Sequence, residues 1–422
     1  MKRKFNAITR LIAGYSRINT KKRILSGKLR TIWGTTPIIT ISLLPKCDKL
    51  LGFKSNSIVF ITYYTSNVFD INLNKWDKIA TRLTRYWPNS LNLFRSIIFL
   101  RILLSYDVFH LFYDKGILIS PSRYGISPVE LQLLKMSGKI LFTYAYGGDV
   151  RSRAQTIALG TPNLCSECPD VGRFCVCDTE EHSSVLQRLD GIVTAKIAMG
   201  DMTAYIPNCR NIHYWPIDTD RIRPTPRRSL RKRSLKVAHA PNQAYFKGTQ
   251  FLVHAIDRLQ AEGHQIELIK IQGVSNDEVL KLFSESDLVA DQFVAGFHGY
   301  TALEAMALGR PVLCFLRGPD MVIDPDSCPI INTHPDEIYS NLKKCLCGEI
   351  DLDTVGKQSR NYVEHYYSIE ATAARLGQLY IESIDLSPEA KRNIADRIDE
   401  LEACLPALAP GIPPVPWRND VH

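Results

Sequence analysis

The sequence predicts an α/β protein built from two doubly wound domains. Short apolar segments rich in β-branched and aromatic residues alternate with helical segments, and this alternation occurs twice along the 422 residues. A stretch dense in Pro and Arg, from Arg221 to Arg233, separates the two series. Because the chain is too long for one ordinary hydrophobic core, we expect each series to form its own parallel sheet with crossover helices.

The first series contains four recognisable strands and two helices. Strands are predicted to begin near Thr31 and to cover 57–63, 107–112 and 139–144, with an amphipathic helix at 130–135. The last of these strands is predicted to end at Gly147-Gly148. The apolar run 96–104 is interrupted by Arg101 and is shorter than the ~20 residues of a membrane span, so it is predicted to be a buried helix.

The second series is more regular. Its predicted strands cover 235–240, 266–271, 288–290 and 311–316, and its predicted helices cover 251–261, 277–284 and 301–308. In doubly wound sheets ligands bind beyond the carboxyl ends of the strands. The loops after Ala240, Ile271, Ala290 and Leu316 are therefore where a site is expected.

The predicted domain boundaries follow from these two series and from the composition of the chain ends. They are a basic amphipathic segment at 1–28, an N-terminal Rossmann-like domain at 29–215, a C-terminal Rossmann-like domain at 216–384, and a charged helix with a Pro-rich tail at 385–422.

The formal charge of +9 is concentrated at the N-terminus. Ten Lys and Arg occur in the first 30 positions, and the first acidic residue is Asp48. Apolar residues recur there at helical spacing, namely Phe5, Ile8, Leu11, Ile12 and Tyr15. A helix of this kind can lie on an anionic membrane surface; a solvated tail and an upstream start codon are the alternatives.

Composition also limits the location and the partners. Neither the apolar region nor the cleavage site of a secretory signal is recognisable, so we expect a cytoplasmic protein, peripheral to the inner face of the membrane. The basic residues lie in a tail and a linker without interleaved stacking aromatics, so nucleic-acid binding is not expected.

Three segments in the second half carry a family resemblance. They are His239-Ala240-Pro241-Asn242, Phe246-Lys247-Gly248-Thr249, and the run from Gly299 to Pro311 with the sequence GYTALEAMALGRP. This pattern resembles the C-terminal domain of the GT-B retaining glycosyltransferases, nucleotide-sugar enzymes that include many bacterial polysaccharide-building (group 1) transferases. The resemblance implies two facing Rossmann-like domains with an interdomain cleft.

The residue chemistry at these segments suits a nucleotide diphosphate. Gly299 permits close approach of the backbone, and the helix after it supplies free N–H groups and a positive dipole end. Lys247, at a predicted loop edge, supplies an ammonium for the leaving diphosphate, and the resemblance assigns the ribose hydroxyls to Glu304; these two are the candidate catalytic residues. The candidate nucleotide-sugar-binding residues are His239, Lys247, Gly299, Tyr300, Thr301 and Glu304.

Each of these assignments has a structural alternative. Thr301-x-x-Glu304 is also a capping box, Lys247 is also a solvated lysine at a helix entry, and His239 is also a buried histidine with satisfied ring nitrogens. With Lys247 and a helix N-terminus available, no metal or other cofactor is expected in catalysis.

The first half resembles the same family more weakly. The matching segments are Trp33-Gly34-Thr35 and 147–151, so the candidate acceptor residues are Gly34, Gly147, Gly148, Asp149 and Arg151. Two positions depart from the family pattern. Gly296 stands where many relatives have a glutamate that faces the sugar, with Asp291 and His298 as alternative contacts, and Tyr146 stands where relatives have a histidine.

Two further patterns concern metals. Asp218-Thr219-Asp220 has the form of a metal-binding motif of the other major glycosyltransferase fold, but its context matches the entry to the GT-B linker. Cys165, Cys168, Cys175 and Cys177 have the spacing of a compact tetrahedral zinc site. Zinc there would be structural; free or oxidised thiols and an iron–sulfur centre are the alternatives.

The expected function is transfer of a sugar from a UDP- or GDP-linked donor to a hydroxyl of a glycan or lipid-linked acceptor in surface polysaccharide or glycan synthesis. Two other functions are compatible with the pattern: a sugar-nucleotide epimerase of the same fold, and a non-catalytic nucleotide-sugar-binding protein.

Overall fold

A computed structural model of the chain describes residues 5–63, 68–226 and 234–408. Lys2, Arg3 and Lys4 of the basic segment, residues 227–233 of the linker and residues 409–416 of the Pro-rich tail lie outside the described residues. The elements of the first half are α1 (Ala7–Ser26), β1 (Arg30–Thr35), α2 (Leu44–Leu50), β2 (Lys54–Val59), β3 (Ile71–Asn72), α3 (Asn74–Leu83), α4 (Ser90–Ser105), β4 (Val108–Phe112), α5 (Pro128–Met136), β5 (Ile140–Tyr144), α6 (Arg153–Ala158), α7 (Thr179–Leu189), β6 (Ala195–Ala198) and β7 (Arg210–Asn211).

The second half continues the alternation of strands and helices. Its elements are β8 (Leu235–His239), α8 (Ala244–Lys247), α9 (Thr249–Ala261), β9 (Ile266–Lys270), α10 (Asn276–Ser284), β10 (Leu288–Ala290), α11 (Tyr300–Ala307), β11 (Val312–Cys314), β12 (Ile331–Asn332), α12 (Ile338–Cys347), α13 (Leu352–Tyr367), α14 (Ile369–Ser383) and α15 (Pro388–Ala403).

The chain forms two compact units, each with its own sheet. Unit 1 comprises residues 1–152, 172–214 and 372–404, and unit 2 comprises residues 153–171, 215–371 and 405–422. The sheet of unit 1 has strand order β3-β2-β1-β4-β5-β6-β7, and that of unit 2 has strand order β12-β11-β10-β8-β9. All neighbouring strands are parallel, so the predicted fold class, α/β with two Rossmann-like domains, is confirmed.

The first helix, α1, packs into unit 1 through small and polar side chains. Ala13, Ser16 and Thr20 are buried, whereas the side chains of Ile8 and Leu11 are exposed. Of the apolar residues that define the helical pattern, Ile8, Leu11 and Tyr15 therefore face solvent, whereas Phe5 and Ile12 are half-buried. Part of the basic segment is thus a structural helix of unit 1, which the sequence pattern did not indicate.

The C-terminal helices α14 and α15 return to unit 1, so the unit boundary lies at residue 371 and not at the expected 384. The hydroxyl of Tyr380 on α14 donates to Asp48 Oδ1 at 2.7 Å and lies 3.0 Å from His110 Nε2. On α15, Ala390 packs against Gly27, where a Cβ would meet the Ala390 Cβ at 2.9 Å. These buried contacts explain why the last helices belong with the first sheet.

Residues 153–171 belong to unit 2, although they precede its first strand. The guanidinium of Arg317 donates to the carbonyls of Leu159 and Pro162 at 2.9 and 2.7 Å, and Gln250 Nε2 donates to Glu167 at 2.7 Å.

Among the described residues, no helix is long and apolar enough to cross a membrane.

Candidate functional site

In unit 2, the loops after β8 and β10 meet because these strands are neighbours in the sheet. The strands pair in parallel, with Val237 opposite Leu288, so their carboxyl ends reach the same edge. The loop after β8 leads into α8, which ends at Lys247, and the loop after β10 begins with Asp291. This is the edge at which ligands bind in doubly wound sheets.

Lys247 and Asp291 form a buried ion pair at this edge. Lys247 Nζ lies 2.5 Å from Asp291 Oδ1, and both side chains are largely shielded from solvent. The second carboxylate oxygen, Oδ2, accepts a hydrogen bond from the Gly299 N–H at 2.5 Å. Asp291 therefore fixes both the lysine and the start of the following helix, and the alternative of a solvated Lys247 does not hold.

Gly299 is the N-cap of α11 and has no room for a side chain. A Cβ at this position would lie 2.8 Å from Lys247 Nζ and 3.0 Å from Asp291 Oδ1. The ammonium thus lies beside the N-terminal end of α11, where free backbone N–H groups and the helix dipole favour an anion. Both features predicted for the diphosphate, the lysine and the glycine-started helix, occur at one place.

Glu304, one turn into α11, is buried and contacts Asn276. Asn276 Nδ2 donates to Glu304 Oε1 at 2.7 Å, while Asn276 Oδ1 is buried without a hydrogen-bond partner in the described part of the chain. Burial raises the pKa of Glu304 to about 7, partly offset by the Asn276 hydrogen bond. A buried carboxyl beside an unpartnered amide oxygen can accept hydrogen bonds from a diol.

The predicted capping box at the start of α11 is not formed. The N-cap is Gly299, it has no side-chain capping bond, and Thr301 lies inside the helix. Glu304 is therefore not a capping residue in this structure. Tyr300, the first residue of α11, donates through its hydroxyl to the carbonyl of Pro216 at 2.8 Å, which anchors the helix within unit 2.

The two histidines near this edge are buried and neutral. His239 Nδ1 donates to the carbonyl of Ala290, and its Nε2 accepts from Thr249 Oγ1, both at 2.8 Å. Burial lowers the pKa of His239 and of His298 to about 4. His239 is thus a buried histidine with satisfied ring nitrogens, which is the structural alternative given for it. Its contact with the nucleotide-sugar donor remains a prediction.

Gly296, at the position of the family glutamate, lies against Arg317. It has φ +80°, a conformation that favours glycine, and a Cβ there would lie 2.8 Å from Arg317 Nε. The Arg317 backbone N–H donates to the Gly296 carbonyl at 2.9 Å. At this position, where the sequence departs from the family pattern, Arg317 therefore fills the space beside Gly296.

In unit 1, the candidate acceptor loops converge at the carboxyl edge of the sheet. Thr36, after β1, donates to Asp114 Oδ1 at 2.8 Å, and the hydroxyl of Tyr146, after β5, donates to Asp114 Oδ2 at 3.3 Å. Asp114 follows β4, which lies between β1 and β5. The structure thus connects the loop after Gly34 to the loop that contains Gly147 through a carboxylate that the sequence reading missed.

Asp149 and Arg151 shape the second of these loops. Asp149 Oδ1 accepts from the N–H groups of Tyr146 and Gly147 at 3.0 and 2.9 Å. Burial and the charge of Asp114 raise the pKa of Asp149 to about 8. Arg151 donates to Asp201 Oδ2 at 2.8 Å, and a Cβ on Gly148 would lie 2.6 Å from the carbonyl oxygen of Phe174. These residues hold the loop, and their contact with an acceptor remains a prediction.

The four clustered cysteines are divided between the two units. Cys165 and Cys168 belong to unit 2, Cys175 and Cys177 to unit 1, and all four are partly exposed. Within residues 5–63, 68–226 and 234–408, no three His, Cys, Asp or Glu side chains form a group suited to a metal ion. Zinc at these cysteines stays a prediction.

The Asp-x-Asp sequence forms a turn in unit 2. Asp218 Oδ1 accepts from the Arg221 N–H at 3.1 Å, and Arg360 donates to the Thr219 carbonyl at 2.9 Å. No sequence motif indicated Asn276 or Asp114, because each joins the candidate site of its own unit through contacts between elements that are distant in the chain. The available signal for Asp114 was an acidic residue two positions after the end of a strand.

Comparisons with known proteins identify the fold. The sequence matches no protein-family model and no curated protein. Among solved structures, the chain is similar to sucrose-phosphate synthase from Thermosynechococcus elongatus, with 12% identity, 84% of this chain and 98% of that chain covered, and a TM-score of 0.53. It is also similar to Anabaena Alr3699/HepE in complex with UDP, with 12% identity, 84% and 100% covered, and a TM-score of 0.51.

A third solved structure agrees with these two. The catalytic domain of starch synthase IV from Arabidopsis thaliana, bound to ADP and acarbose, has 12% identity, 85% and 99% coverage, and a TM-score of 0.50. At this level of identity the similarity concerns the fold. Together with the two parallel sheets described above, these comparisons show that the chain has the fold of the GT-B glycosyltransferases.

Proposed function

We propose that the protein is a glycosyltransferase that moves a hexose from a UDP- or GDP-linked donor to a hydroxyl of a glycan or lipid-linked acceptor. The observation that carries the proposal is the Lys247 ammonium beside the N-terminus of α11, held by Asp291 against Gly299. The solved structures with UDP and with ADP on the same fold support a nucleotide donor.

In the proposed reaction, the bond between the anomeric carbon and the diphosphate oxygen breaks while the acceptor oxygen forms the new glycosidic bond, and the proton of the acceptor hydroxyl leaves with the diphosphate. Lys247 and the α11 N–H groups stabilise the negative charge that develops on the departing nucleoside diphosphate. Glu304 and Asn276 accept hydrogen bonds from the ribose hydroxyls. We propose retention of the anomeric configuration by analogy with the family that the sequence resembles.

We further propose that the loops of unit 1 around Asp114 and 147–151 bind the acceptor, and that the protein associates peripherally with an anionic membrane. The acceptor loops are supported by the convergence of Thr36 and Tyr146 on Asp114. Membrane association is supported by the exposed Ile8, Leu11 and Tyr15 on the basic helix α1.

Replacing Glu304 with glutamine tests the nucleotide site. Wild-type protein should release nucleoside diphosphate from one member of a panel of UDP- and GDP-hexoses when an acceptor is present. The E304Q variant should lose roughly 10²–10³-fold in kcat/KM, because a weaker neutral acceptor replaces the carboxylate. Release of a new nucleotide sugar would favour the epimerase, and donor binding without turnover would favour the binding protein.

The pH dependence separates this role from a structural one. Since the pKa of Glu304 is raised to about 7, kcat/KM of the wild type should fall below pH 7 as the Glu304 carboxylate of the free enzyme becomes protonated. The raised pKa also means that folding favours the neutral form of the Glu304 carboxyl. The free energy of unfolding should therefore decrease as the pH rises from ~4.5 to ~8, by up to about 3 kcal/mol.

In E304Q, the fall of kcat/KM below pH 7 and the decrease in the free energy of unfolding with rising pH should both be absent. The Tm of E304Q at pH 8 should equal or exceed that of the wild type. If the E304Q variant keeps wild-type kcat/KM and the same pH profile, the ribose assignment is wrong.

Structural zinc at Cys165, Cys168, Cys175 and Cys177 is also a proposal, supported by the spacing of the thiols alone. Purified protein should contain about one zinc per chain, because four thiolates suffice for a tetrahedral site. Elemental analysis measures the content, and EDTA should lower Tm without abolishing turnover below the unfolding temperature. A metal-free preparation with unchanged Tm and four titratable thiols would contradict it.

A further inference from the structure

Helices α3 and α4 of unit 1 carry two rows of exposed apolar side chains, which we call the α3–α4 surface. On α3 and the turn after it, the exposed side chains are Trp76, Ile79, Leu83, Tyr86 and Trp87. On α4 they are Leu93, Ile97, Leu100 and Leu104. Tyr86 is 82% exposed, and Trp76 and Ile97 are each 58% exposed, so these side chains are not at the margin of the core.

The rows are the outer faces of helices that are firmly attached to the unit. Asp77 on α3 pairs with Arg95 on α4 at 2.7 Å, and Ser90 Oγ donates to the Ala80 carbonyl at 2.9 Å. On α4, positions 93, 97, 100 and 104 follow one helical stripe. The sequence predicts a buried helix at 96–104, but only the opposite face, with Phe99 among its residues, is buried.

Positive charge is interspersed with these apolar residues. Lys75, Lys78, Arg82, Arg85 and Arg101 are all exposed. The only acidic residue between positions 74 and 105 is Asp77, which is buried and paired with Arg95. The α3–α4 surface is therefore both apolar and cationic.

Helix α4, which carries one of the two rows, contacts α1. Ser16 Oγ on α1 donates to the carbonyl of Leu103 on α4 at 3.1 Å. The outward residues of α1 include Leu11 and Ile18, which are 74% and 71% exposed. Two helices in contact thus present the same combination of apolar and basic side chains.

We propose that the α3–α4 surface docks on an anionic lipid bilayer, with Trp76 and Trp87 at the level of the headgroups. Trp and Tyr favour the membrane–water interface. Basic residues close to the bilayer surface are attracted to anionic lipids. The core of a protein–protein interface is depleted of charged residues, whereas here cations lie between the apolar rows. The inference extends the membrane association proposed above to a surface beyond α1, and it does not depend on the nucleotide-sugar donor.

Flotation of the full chain with lipid vesicles tests the proposal. We expect binding to vesicles of phosphatidylcholine and phosphatidylglycerol, and much weaker binding to phosphatidylcholine alone. Each basic residue contributes about fivefold to partitioning, so K78E/R82E should reduce binding at least tenfold, as should W76S/W87S. Binding should also weaken in high salt.

Matched controls use exposed residues elsewhere. Arg392→Glu on α15 and Tyr245→Ser on α8 change charge and aromatic content at exposed positions outside the surface and should leave vesicle binding unchanged. I8S/L11S/Y15S measures the contribution of α1 to vesicle binding separately. If the α3–α4 surface docks on the bilayer, W76S/W87S must reduce vesicle binding although α1 is intact.

Tryptophan fluorescence provides a second readout. Trp33 and Trp215 are buried, and the fifth tryptophan, Trp417, is removed by W417F in every protein of this experiment. A blue shift on vesicle addition and quenching by brominated lipids should then come from the exposed pair and be lost when W76F/W87F is added. Vesicle binding that is equal in the wild type and in both surface variants would overturn the proposal. So would a concentration-dependent dimer in sedimentation that the same variants abolish, since the occupant would then be a second copy.

Diphosphate release with a soluble acceptor, measured on the same variants, keeps the two proposals separate. Intact release with lost vesicle binding supports the lipid surface, and lost release with intact binding would count against the proposed function alone.

Discussion

Replacing Lys247 with alanine is expected to reduce both donor turnover and stability. The variant loses the cation beside α11, which should lower kcat/KM by roughly 10²–10³-fold. It also leaves Asp291 buried without its ion-pair partner, at a cost of about 3–5 kcal/mol. For a domain of this size, Tm should fall by roughly 10 °C. The sequence alone predicts a loop-edge Lys247 and no loss of stability; burial of the ion pair is the reason for the difference.

A double variant separates the two effects. K247A/D291N removes both charges, while the asparagine keeps a carbonyl oxygen for the Gly299 N–H. We expect this variant to recover most of the lost Tm but none of the lost turnover. Recovery of turnover together with stability would mean that Lys247 acts only as the partner of Asp291. Steady-state kinetics and calorimetry on the wild type, both single variants and the double variant complete the cycle.

Deleting residues 2–24 is expected to destabilise unit 1 severely. The sequence predicts a dispensable segment whose removal leaves activity on a soluble acceptor nearly unchanged, but α1 supplies the partners of a buried carboxylate. Arg23 lies 2.7 Å from Asp107 Oδ1, and Thr20 Oγ1 lies 3.1 Å from the same oxygen. Lys139, whose pKa burial lowers to about 8, donates to Thr20 Oγ1 at 2.6 Å. Loss of these partners should cost about 3–5 kcal/mol or more.

Calorimetry and solubility of the truncated chain measure this effect. Arg23→Ala should reproduce a large part of the loss, because Asp107 is fully buried, whereas I8S/L11S/Y15S should keep Tm close to that of the wild type. A truncated chain with unchanged Tm would show that α1 is not part of the folded unit.

Much of the fold could be predicted because short-range patterns specify it. The strands β5 and β10 occur at the predicted positions, and α11 begins one residue before its predicted start. Alternation of apolar strands with helices favours parallel sheets, and the Gly-started helix after β10 indicated the edge at which Lys247 and Gly299 meet. These features depend on residues that are close in the sequence, so their signals are local.

The tertiary structure alone decided which residues support the site and which surfaces are free. The link between Asp291, Lys247 and Gly299 joins loops from separate strands, and the contact between Asn276 and Glu304 joins two helices, so no local pattern indicated them. Likewise, apolar periodicity in α1 and α4 predicts one buried stripe, but it does not determine which stripe. In α1 the small residues Ala13 and Ser16 allow close packing and are buried, while the larger side chains of Ile8, Leu11 and Ile18 remain exposed. Local sequence thus determined the elements and their order, whereas long-range packing decided which charges are paired and which apolar faces meet solvent.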